Sequence, residues 1–438
     1  MSFRIDPEAA TQRSYAQSLD ANDPLAPFKS EFFISDPELC YLDGNSLGRL
    51  PKKTVEAVNH FLVEEWGKEL VDGWGHWIDQ AQPAGDLLAK TALGAGPGQT
   101  LVCDTTSVNF YQLCLAAISA RPERKTIIID SANFPTDRYI LEGIAKTHSL
   151  KLVTLNTDGM GGPGAVEISS QDEMILPEEL EQHLSDDVAL ITLQAINYRS
   201  GARQPMKQIN ALAKKYGALV VWDCSHAIGS IELDFEKNDV QLAVGCTYKY
   251  GNSGPGSPAW LFVAKEIQTQ LRVPIQGWFA QEKQFEMGPF FEPADTIRRY
   301  QIASPSIIGI RGVEVAFEMM GRAGIDKIAH KAAVGTDLMI ALHDSWLAPL
   351  GFELATPRDA LKRGGHIIIK HKDAKLIAYA LRKISNVIPD YREPGSIRLA
   401  ISPLATSYEE VYEGFLRLRE LVSSEQYKSV SMDGNRVT

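Results

Sequence analysis

From about residue 100 onward, short apolar runs alternate with stretches in which apolar positions recur every three or four residues. The runs are TIIID (126–130), KLVTLN (151–156), VALITLQAI (188–196), ALVVWD (218–223), LAVGCTY (242–248) and AWLFV (259–263). Several are apolar at successive positions, the pattern of a strand covered by helices on both faces. Between them, stretches such as QPMKQINALAKKYG (204–217) carry one apolar face and close on a glycine suited to a helix C-cap. Strand–helix alternation of this kind predicts an α/β domain with a mostly parallel sheet.

Upstream, TVEAVNHFLVEEW (54–66) places Val55, Val58, Leu62 and Trp66 at helical spacing just after Pro51. The region from Ser306 through Leu347 reads as long helices linking two domains. The texture then changes. GGHIIIKH (364–371), DAKLIAYALRKI (373–384), SIRLAIS (396–402) and SYEEVYEGFLRLRELV (407–422) predict strand, helix, strand and helix, a smaller α+β domain. The last helix is expected to open with a capping box of Thr406 and Glu409 and to bury Val411, Phe415, Leu418 and Val422. The polar tail after Glu425 is expected to be loose.

A chain of 438 residues exceeds what one core usually serves, which agrees with two domains. Its net charge of −11 argues against a nucleic-acid binder and gives no pull toward anionic membranes. No apolar run approaches a membrane span, and MSFRIDPEAATQRSYAQSLD lacks an apolar signal core, so a cytoplasmic protein is expected. The five cysteines (Cys40, Cys103, Cys114, Cys224, Cys246) lack paired spacing and read as buried thiols of a reducing compartment. No His/Cys cluster has metal-ligand spacing, so no metal is expected.

Two chemistry-bearing residues stand out against this background. The run ALVVWD ends on Asp223, and the next ends just before Lys249, 26 residues later. Successive strands thus deliver a carboxylate and an amine to one sheet edge, where open α/β sheets bind ligands. That pair matches the needs of pyridoxal phosphate: a lysine to hold it as a Schiff base and an acid to pair with the pyridinium nitrogen. The acid keeps the ring protonated as an electron sink, and desolvation helps the lysine shed its proton. Taken alone, the pair is equally readable as a structural ion pair or two unrelated strand-end charges.

Two more segments bear on the choice. DTTSVNF (104–110) precedes a helix expected to carry Val108, Tyr111, Leu115 and Ile118 on one face. Thr105, Thr106 and Ser107 fall at its N-terminus, where hydroxyls and free N–H groups bind phosphate; simple capping would need just one of them. In SANFPTDRY (131–139), Phe134 follows a strand and can cover a cofactor ring, or pack on the core as a loop aromatic. GAGPG (94–98) and GNSGPG (251–256) match neither a dinucleotide fingerprint nor a Walker A loop; the second serves to fix the backbone beyond Lys249. His60, His148 and His343 read as surface or helix residues.

The segments YLDGNSLGRLP (41–51), EEWGKELVDGW (64–74), DTTSVN, NFPTD, WDCSHAIG, GCTYKYGNSGPG, GWFAQEKQFEM (277–287) and DYREPGSIRL (390–399), in this order, resemble those of kynureninases. The resemblance runs from Tyr41 to the C-terminal helix. It implies a fold-type-I pyridoxal-phosphate enzyme: a large domain over 51–305, linker helices and small domain over 306–425, a tail over 426–438, and an N-terminal segment over 1–50 packed on the small domain. It further implies a homodimer with shared active sites, no nucleic-acid or membrane partner, and an amino-acid substrate. The implied reaction is hydrolytic cleavage of L-kynurenine to anthranilate and L-alanine, within tryptophan catabolism, the kynurenine pathway and NAD biosynthesis.

The resemblance also assigns roles. Lys249 would hold the cofactor and move the α-proton, Asp223 would pair with the ring nitrogen, and His226 would sit beside the ring. Thr106, Ser107 and Tyr248 would hold the phosphate, with Tyr248 also relaying protons. Phe134 would stack near the ring and Asp137 would lie near the lysine linkage. Trp278 and Ser304 would reach the neighbouring subunit's site. Arg398 would bind the substrate carboxylate through two parallel hydrogen bonds, with Asn45 and Trp74 also on the substrate. The chain departs from its relatives where Gln194 replaces a small hydroxyl residue beside the cofactor and Ala195 a frequent bacterial histidine. Ser304 stands at a common threonine or asparagine. Trp74 replaces the histidine of animal enzymes that favour the 3-hydroxy substrate, which points to the unhydroxylated one and leaves ring-substituted kynurenines open. The competing readings are a class V aminotransferase or desulfurase-like lyase on a related aryl-keto amino acid, and a non-catalytic cofactor-binding regulator.

Overall fold

The computed structural model describes residues 5–162, 164–169 and 172–431. A short strand, β1 (Cys40–Tyr41), lies upstream of the main sheet. That sheet has eight strands: β2 (Thr100–Val102), β3 (Thr126–Asp130), β4 (Lys151–Asn156), β5 (Val166–Glu167), β6 (Val188–Gln194), β7 (Leu219–Asp223), β8 (Leu242–Gly245) and β9 (Trp260–Val263). Their order is β2-β9-β8-β7-β6-β3-β4-β5, with β9 antiparallel to both neighbours and every other pair parallel. The contiguous apolar runs are the buried parallel strands that the pattern predicts; β3, β6, β7 and β8 are buried along their length. β2 and β5, three and two residues long, are too short to leave a periodic signal.

The path of the chain fixes where a ligand can sit. From β3 it runs through the helix Pro135–His148 to β4, then crosses back to β6 on the other side of β3. Strand order therefore reverses between β3 and β6, which opens a crevice at their carboxyl ends.

A second sheet, β10-β11-β14-β13, is antiparallel and comprises β10 (Glu353–Leu354), β11 (His366–Lys370), β13 (Asp390–Arg392) and β14 (Ser396–Ala400). β12 (Val387–Ile388) pairs in parallel with β1. Each sheet has its own hydrophobic core. The first holds the main sheet with helices such as Thr106–Ser119 and Ile307–Ala323, through Leu113, Phe317 and Met320. The second gathers Leu338, Leu381 and Phe415 from the helices Ile325–Leu342, Ala374–Ile384 and Tyr408–Ser423. Gly324 joins the helices Ile307–Ala323 and Ile325–Leu342 with a φ of +86° that suits glycine, and the second helix carries the chain from the first core at Ile328 to the second at Val334.

Residues from the N-terminal segment, Ala10, Ala16 and Leu42, enter the second core. Lys331 and Asp23 form an ion pair of 2.7 Å with both side chains almost wholly buried. Removing one partner of such a pair strands the other charge, at a cost of about 3–5 kcal/mol. Lys331→Met is accordingly expected to lower the stability of the full chain by that amount, read as a shifted urea midpoint. A shift corresponding to under about 1 kcal/mol would mean that Asp23 finds solvent or another cation.

Four local expectations are corrected by packing. In the helix Thr106–Ser119 the buried face is Phe110, Leu113, Cys114 and Ala117, while Tyr111 is 40% exposed. With most positions from Val108 to Ile118 apolar, periodicity alone could not choose the face, and the sheet did. The stripe Val55, Leu62 and Trp66 is exposed, Trp66 by 53%, whereas Thr54 and Phe61 are buried. There the helix Lys52–His60 widens into a π-turn over Phe61–Trp66, which breaks the 3.6-residue register.

The last helix is capped by Ser407, whose Oγ accepts from the Glu410 N–H, rather than by a Thr406–Glu409 box. Glu409 instead faces Arg13 at 3.0 Å, and the Asp20 carboxylate accepts the Tyr408 and Glu409 N–H groups. Beyond Glu425 the tail is not loose throughout: Tyr427 is buried and its hydroxyl donates to Asp373. All five cysteines are buried and unpaired, and His343 is a buried helix-end residue rather than a surface one. Among the described residues no helix is long and apolar enough to cross a membrane.

Candidate active site

Four strand ends and one helix start converge at the crevice. β3 ends at Asp130 and leads through Phe134 into the helix bearing Asp137; β6 ends at Gln194 and β7 at Asp223. β8 stops at Gly245, three residues earlier than its apolar run suggests. The Cys246 N–H turns to the Ser225 hydroxyl and the Thr247 carbonyl accepts the Ser253 N–H, so both leave the ladder. Tyr248 and Lys249 consequently stand on a loop beyond the strand. With the N-terminus of the helix Thr106–Ser119 they enclose a cavity of about 280 Å³. Its wall brings together Thr106, Ser107, Phe134, Asp137, Gln194, Asp223, His226, Tyr248 and Lys249, along with Thr105, Ser225, Cys246 and Ser257.

The Lys249 loop is held from both sides. The Asn252 N–H donates to the Lys249 carbonyl (2.9 Å), and the Gly48 N–H donates to the Tyr248 carbonyl (2.8 Å). A Cβ on Gly48 would lie 2.4 Å from the Lys249 carbonyl oxygen, so only glycine lets this N-terminal segment approach so closely. Lys249 Nζ lies 2.8 Å from His226 Nε2 and 5.8 Å from the centre of the Phe134 ring. Burial lowers its pKa, with Cys246 and Asp223 opposing that shift. The amine is thereby easier to deprotonate than a surface lysine.

The other groups are equally poised. Burial, then the neighbouring Asp223, pushes Asp137 well above the carboxylate range, against the pull of Lys249, and its Oδ2 has no partner. Asp223 Oδ1 accepts the Ser225 N–H at 2.8 Å. Burial raises the Tyr248 phenol, with Cys246 adding to the shift. Gln194 accepts the Tyr198 N–H through Oε1 while its Nε2 is unpartnered. Thr105 caps the helix, its Oγ1 accepting from the Val108 N–H (3.3 Å), which leaves the Thr106 and Ser107 hydroxyls at the positive helix end.

This donor set fits pyridoxal phosphate: an enclosed amine, a carboxylate on an adjacent strand, hydroxyls at a helix N-terminus for an anion, and unpartnered polar atoms on the same wall. A larger cavity of about 430 Å³ lies between the β4–β5 edge and the second sheet. Its buried Arg199 is already engaged by Asp158 and Glu173, and it contains no comparable amine.

The remaining predicted residues lie elsewhere. Arg398 is 1% exposed and does not line the cavity, although its charge lowers the pKa of Lys249 and His226. Its Nη1 donates to the Tyr198 carbonyl, and its Nη2 meets Ser46 Oγ (2.8 Å) and Asp390 Oδ2 (2.6 Å). The buried Asn45 amide accepts from Arg398 Nε at 2.7 Å once its oxygen is turned toward that group. Of five guanidinium N–H groups, four are engaged among the described residues. The two-pronged fork expected of Arg398 is thus not open in this arrangement. Trp74, Trp278 and Ser304 are on the exterior, away from this cavity. Ser46, Tyr198, Asp390 and His366 are neighbours of the site that sequence reasoning missed. Each is a single polar or aromatic residue whose relevance depends on contacts across the chain; the available signal was that Ser46, Asp390 and His366 lie within YLDGNSLGRLP, DYREPGSIRL and GGHIIIKH.

Comparison with known proteins agrees with this geometry. Residues 328–418 match the family model described as the kynureninase C-terminal domain. The chain is 34% identical over 422 residues to the kynureninase of Pseudomonas fluorescens, covering 94% of this chain and 96% of that one. It is 35% identical over 422 residues to the kynureninase of Bacillus cereus, covering 94% and 95%. Among solved structures, the apo cysteine desulfurase of Thermococcus onnurineus superposes with a TM-score of 0.74 at 17% identity, over 93% of this chain and 98% of that one. A C-DES variant with glycine covalently linked to its pyridoxal-phosphate cofactor gives 0.72 at 16%, over 88% and 97%. The fold is that of fold-type-I pyridoxal-phosphate enzymes.

Proposed function

The chain belongs to the kynureninase family, and from that premise we propose that it hydrolyses L-kynurenine to anthranilate and L-alanine. The observation that carries the reading within this molecule is the meeting of Lys249 and Asp223 in one enclosed cavity beside the Thr106–Ser107 helix end. When bound, pyridoxal phosphate supplies an electron sink for the bond broken next to the substrate nitrogen.

The chain's own groups then have defined tasks. Asp223 would pair with the ring nitrogen, and Thr106 and Ser107 would hold the phosphate at the helix N-terminus. Phe134 would cover the ring. Lys249, its proton loosened by burial, takes the α-proton of the substrate. Tyr248 is a phenol at neutral pH, and burial raises its pKa further, so it can deliver the proton that the alanine Cβ requires when the bond to the anthranilate carbon breaks. Water adds to the ketone carbonyl and becomes part of the anthranilate carboxylate. Arg398 takes the substrate carboxylate by exchanging the Tyr198 carbonyl or Ser46 for it, since one N–H alone is otherwise free.

The test is incubation of the cofactor-loaded chain with L-kynurenine and no keto acid, following anthranilate and alanine in equal amounts. Turnover that depends on an added keto acid would make it an aminotransferase instead. Trp74 is exposed on this chain; on the reading that a second copy brings it to the neighbouring site, its flat apolar face is proposed to make kcat/KM for L-kynurenine exceed that for the 3-hydroxy form.

We further propose that the working unit is a dimer. Val63, Trp66, Leu70 and Val71, with Phe285, Met287 and an 81% exposed Phe290, are large apolar side chains left uncovered, and apolar surface of this kind marks interaction sites. A second copy is the fitting partner, because Trp278 and Ser304 then have a site to serve. Trp66→Asp with Val71→Asp is expected to give monomers in sedimentation and to cut kynurenine cleavage by at least about tenfold. An unchanged dimer would place the interface on another face.

A further inference from the structure

The partner of Lys249 is itself incompletely satisfied. His226 meets Lys249 Nζ through Nε2, but its buried Nδ1 has no hydrogen-bond partner. Against the His226 ring stands His366, the first residue of β11, fully buried, with ring centroids 5.5 Å apart and planes crossing at 61°. Among the described residues neither ring nitrogen of His366 makes a well-formed hydrogen bond, although the Asn197 and Arg199 carbonyls approach the ring. Three imidazole nitrogens without a well-formed hydrogen bond thus cluster immediately behind the amine, and buried polar groups of that kind call for an account.

The surroundings distinguish the two nitrogens of His366. Its Nε2 faces the 197–201 loop, lying 3.4 Å from the point where a Cβ on Gly201 would stand. The loop is pressed close there, since the same Cβ would lie 2.6 Å from the His366 carbonyl oxygen. The Asn197 and Arg199 carbonyls act on this ring and favour an N–H. An Nε2–H directed at the loop leaves the Nδ1 lone pair as the free acceptor. Burial, with the charges of Lys249 and Arg398, keeps both imidazoles neutral, so each has one N–H and one lone pair to place.

We propose that His366 is a positioning residue that fixes the tautomer of His226: its Nδ1 lone pair accepts the His226 Nδ1–H through one bridging water. The His226 Nε2 lone pair is then directed at Lys249 Nζ, which donates to it. The opposite tautomer would put an Nε2–H on that side and tie up the lysine lone pair, which is the electron pair a reactive amine must keep free. No net proton is gained or lost in this arrangement. His226 follows β7 of the main sheet and His366 begins β11 of the second, so the setting of the amine requires the two sheets to be together. The importance of that setting rests on the reading of Lys249 as the reactive amine.

The experiment is the two-bond ¹H–¹⁵N spectrum of full-length chain labelled at histidine, before and after addition of pyridoxal phosphate, with His226 assigned by its loss in His226→Gln. His226 is expected as the Nδ1–H tautomer. It should remain so in His366→Gln, whose amide oxygen can accept, and shift toward Nε2–H in His366→Leu. In parallel, kcat for kynurenine should fall about a hundredfold in His366→Leu and only a few-fold in His366→Gln, with KM little changed. An Nε2–H tautomer in the unsubstituted chain, or an unaltered tautomer in His366→Leu, overturns the proposal. The first of these needs no variant to fold. Should the tautomers behave as expected while kynurenine is left intact, the functional reading falls and the positioning role stands.

Discussion

Replacing Lys249 with alanine is expected to lower kynurenine cleavage by at least about 10⁴-fold, because on the proposed reading one substitution removes both the anchor of the cofactor and the base for the α-proton. Among the described residues no other lysine lines the cavity, so no second amine is in place there to substitute for it. Its burial and lowered pKa further distinguish it from surface lysines such as Lys214 and Lys215, which carboxylate partners shift the opposite way. Borohydride treatment should fix pyridoxal phosphate to the peptide containing Lys249 in the unsubstituted protein and leave that peptide unlabelled in the variant. Retention of more than about one hundredth of the activity would assign the chemistry to a different amine.

Asp223→Ala is expected to lower kcat by about 10²–10³-fold, the scale associated with removing one preorganised electrostatic partner from a reacting centre. The carboxylate sits at the end of β7, in register with Gln194 of β6, so its position is set by the ladder rather than by a mobile loop. Covalent attachment of the cofactor should survive, since Lys249 is untouched. Losing the Asp223 charge also removes one of the causes that raise the Asp137 pKa, so Asp137 becomes a stronger acid in the variant. Asp223→Glu should recover part of the loss. Steady-state kinetics on protein loaded to equal absorbance decide the matter; a kcat within tenfold of the unsubstituted enzyme would exclude Asp223 from pairing with the ring.

Much of the candidate cavity was legible beforehand for a physical reason. Parallel strands buried on both faces announce themselves as unbroken apolar runs, and the polar residue that ends such a run must emerge at a sheet edge. Gln194 and Asp223 end β6 and β7, while Lys249 and Phe134 follow closely on β8 and β3, so each was placed near an edge by local sequence alone. Helix faces were less secure. In the helix Thr106–Ser119 apolar residues occur almost all round, and in 54–66 the apolar stripe is not the buried one. An apolar stripe reports that something will cover it, without saying whether that is the chain's own core or another surface.

The residues around Arg398 show the boundary between the two kinds of information. The chain order alone determined the α/β class, the crevice at the strand ends and the pairing of an amine with an acid there. It could not determine that Ser46, Asn45, Tyr198 and Asp390 would surround one guanidinium, or that His366 would face His226, because those contacts join segments up to about 350 residues apart. Local pattern follows from backbone geometry and from water's exclusion of apolar side chains, and both act over a few residues. Which buried polar groups meet is settled only when two sheets pack and each donor must find whatever acceptor the other side presents.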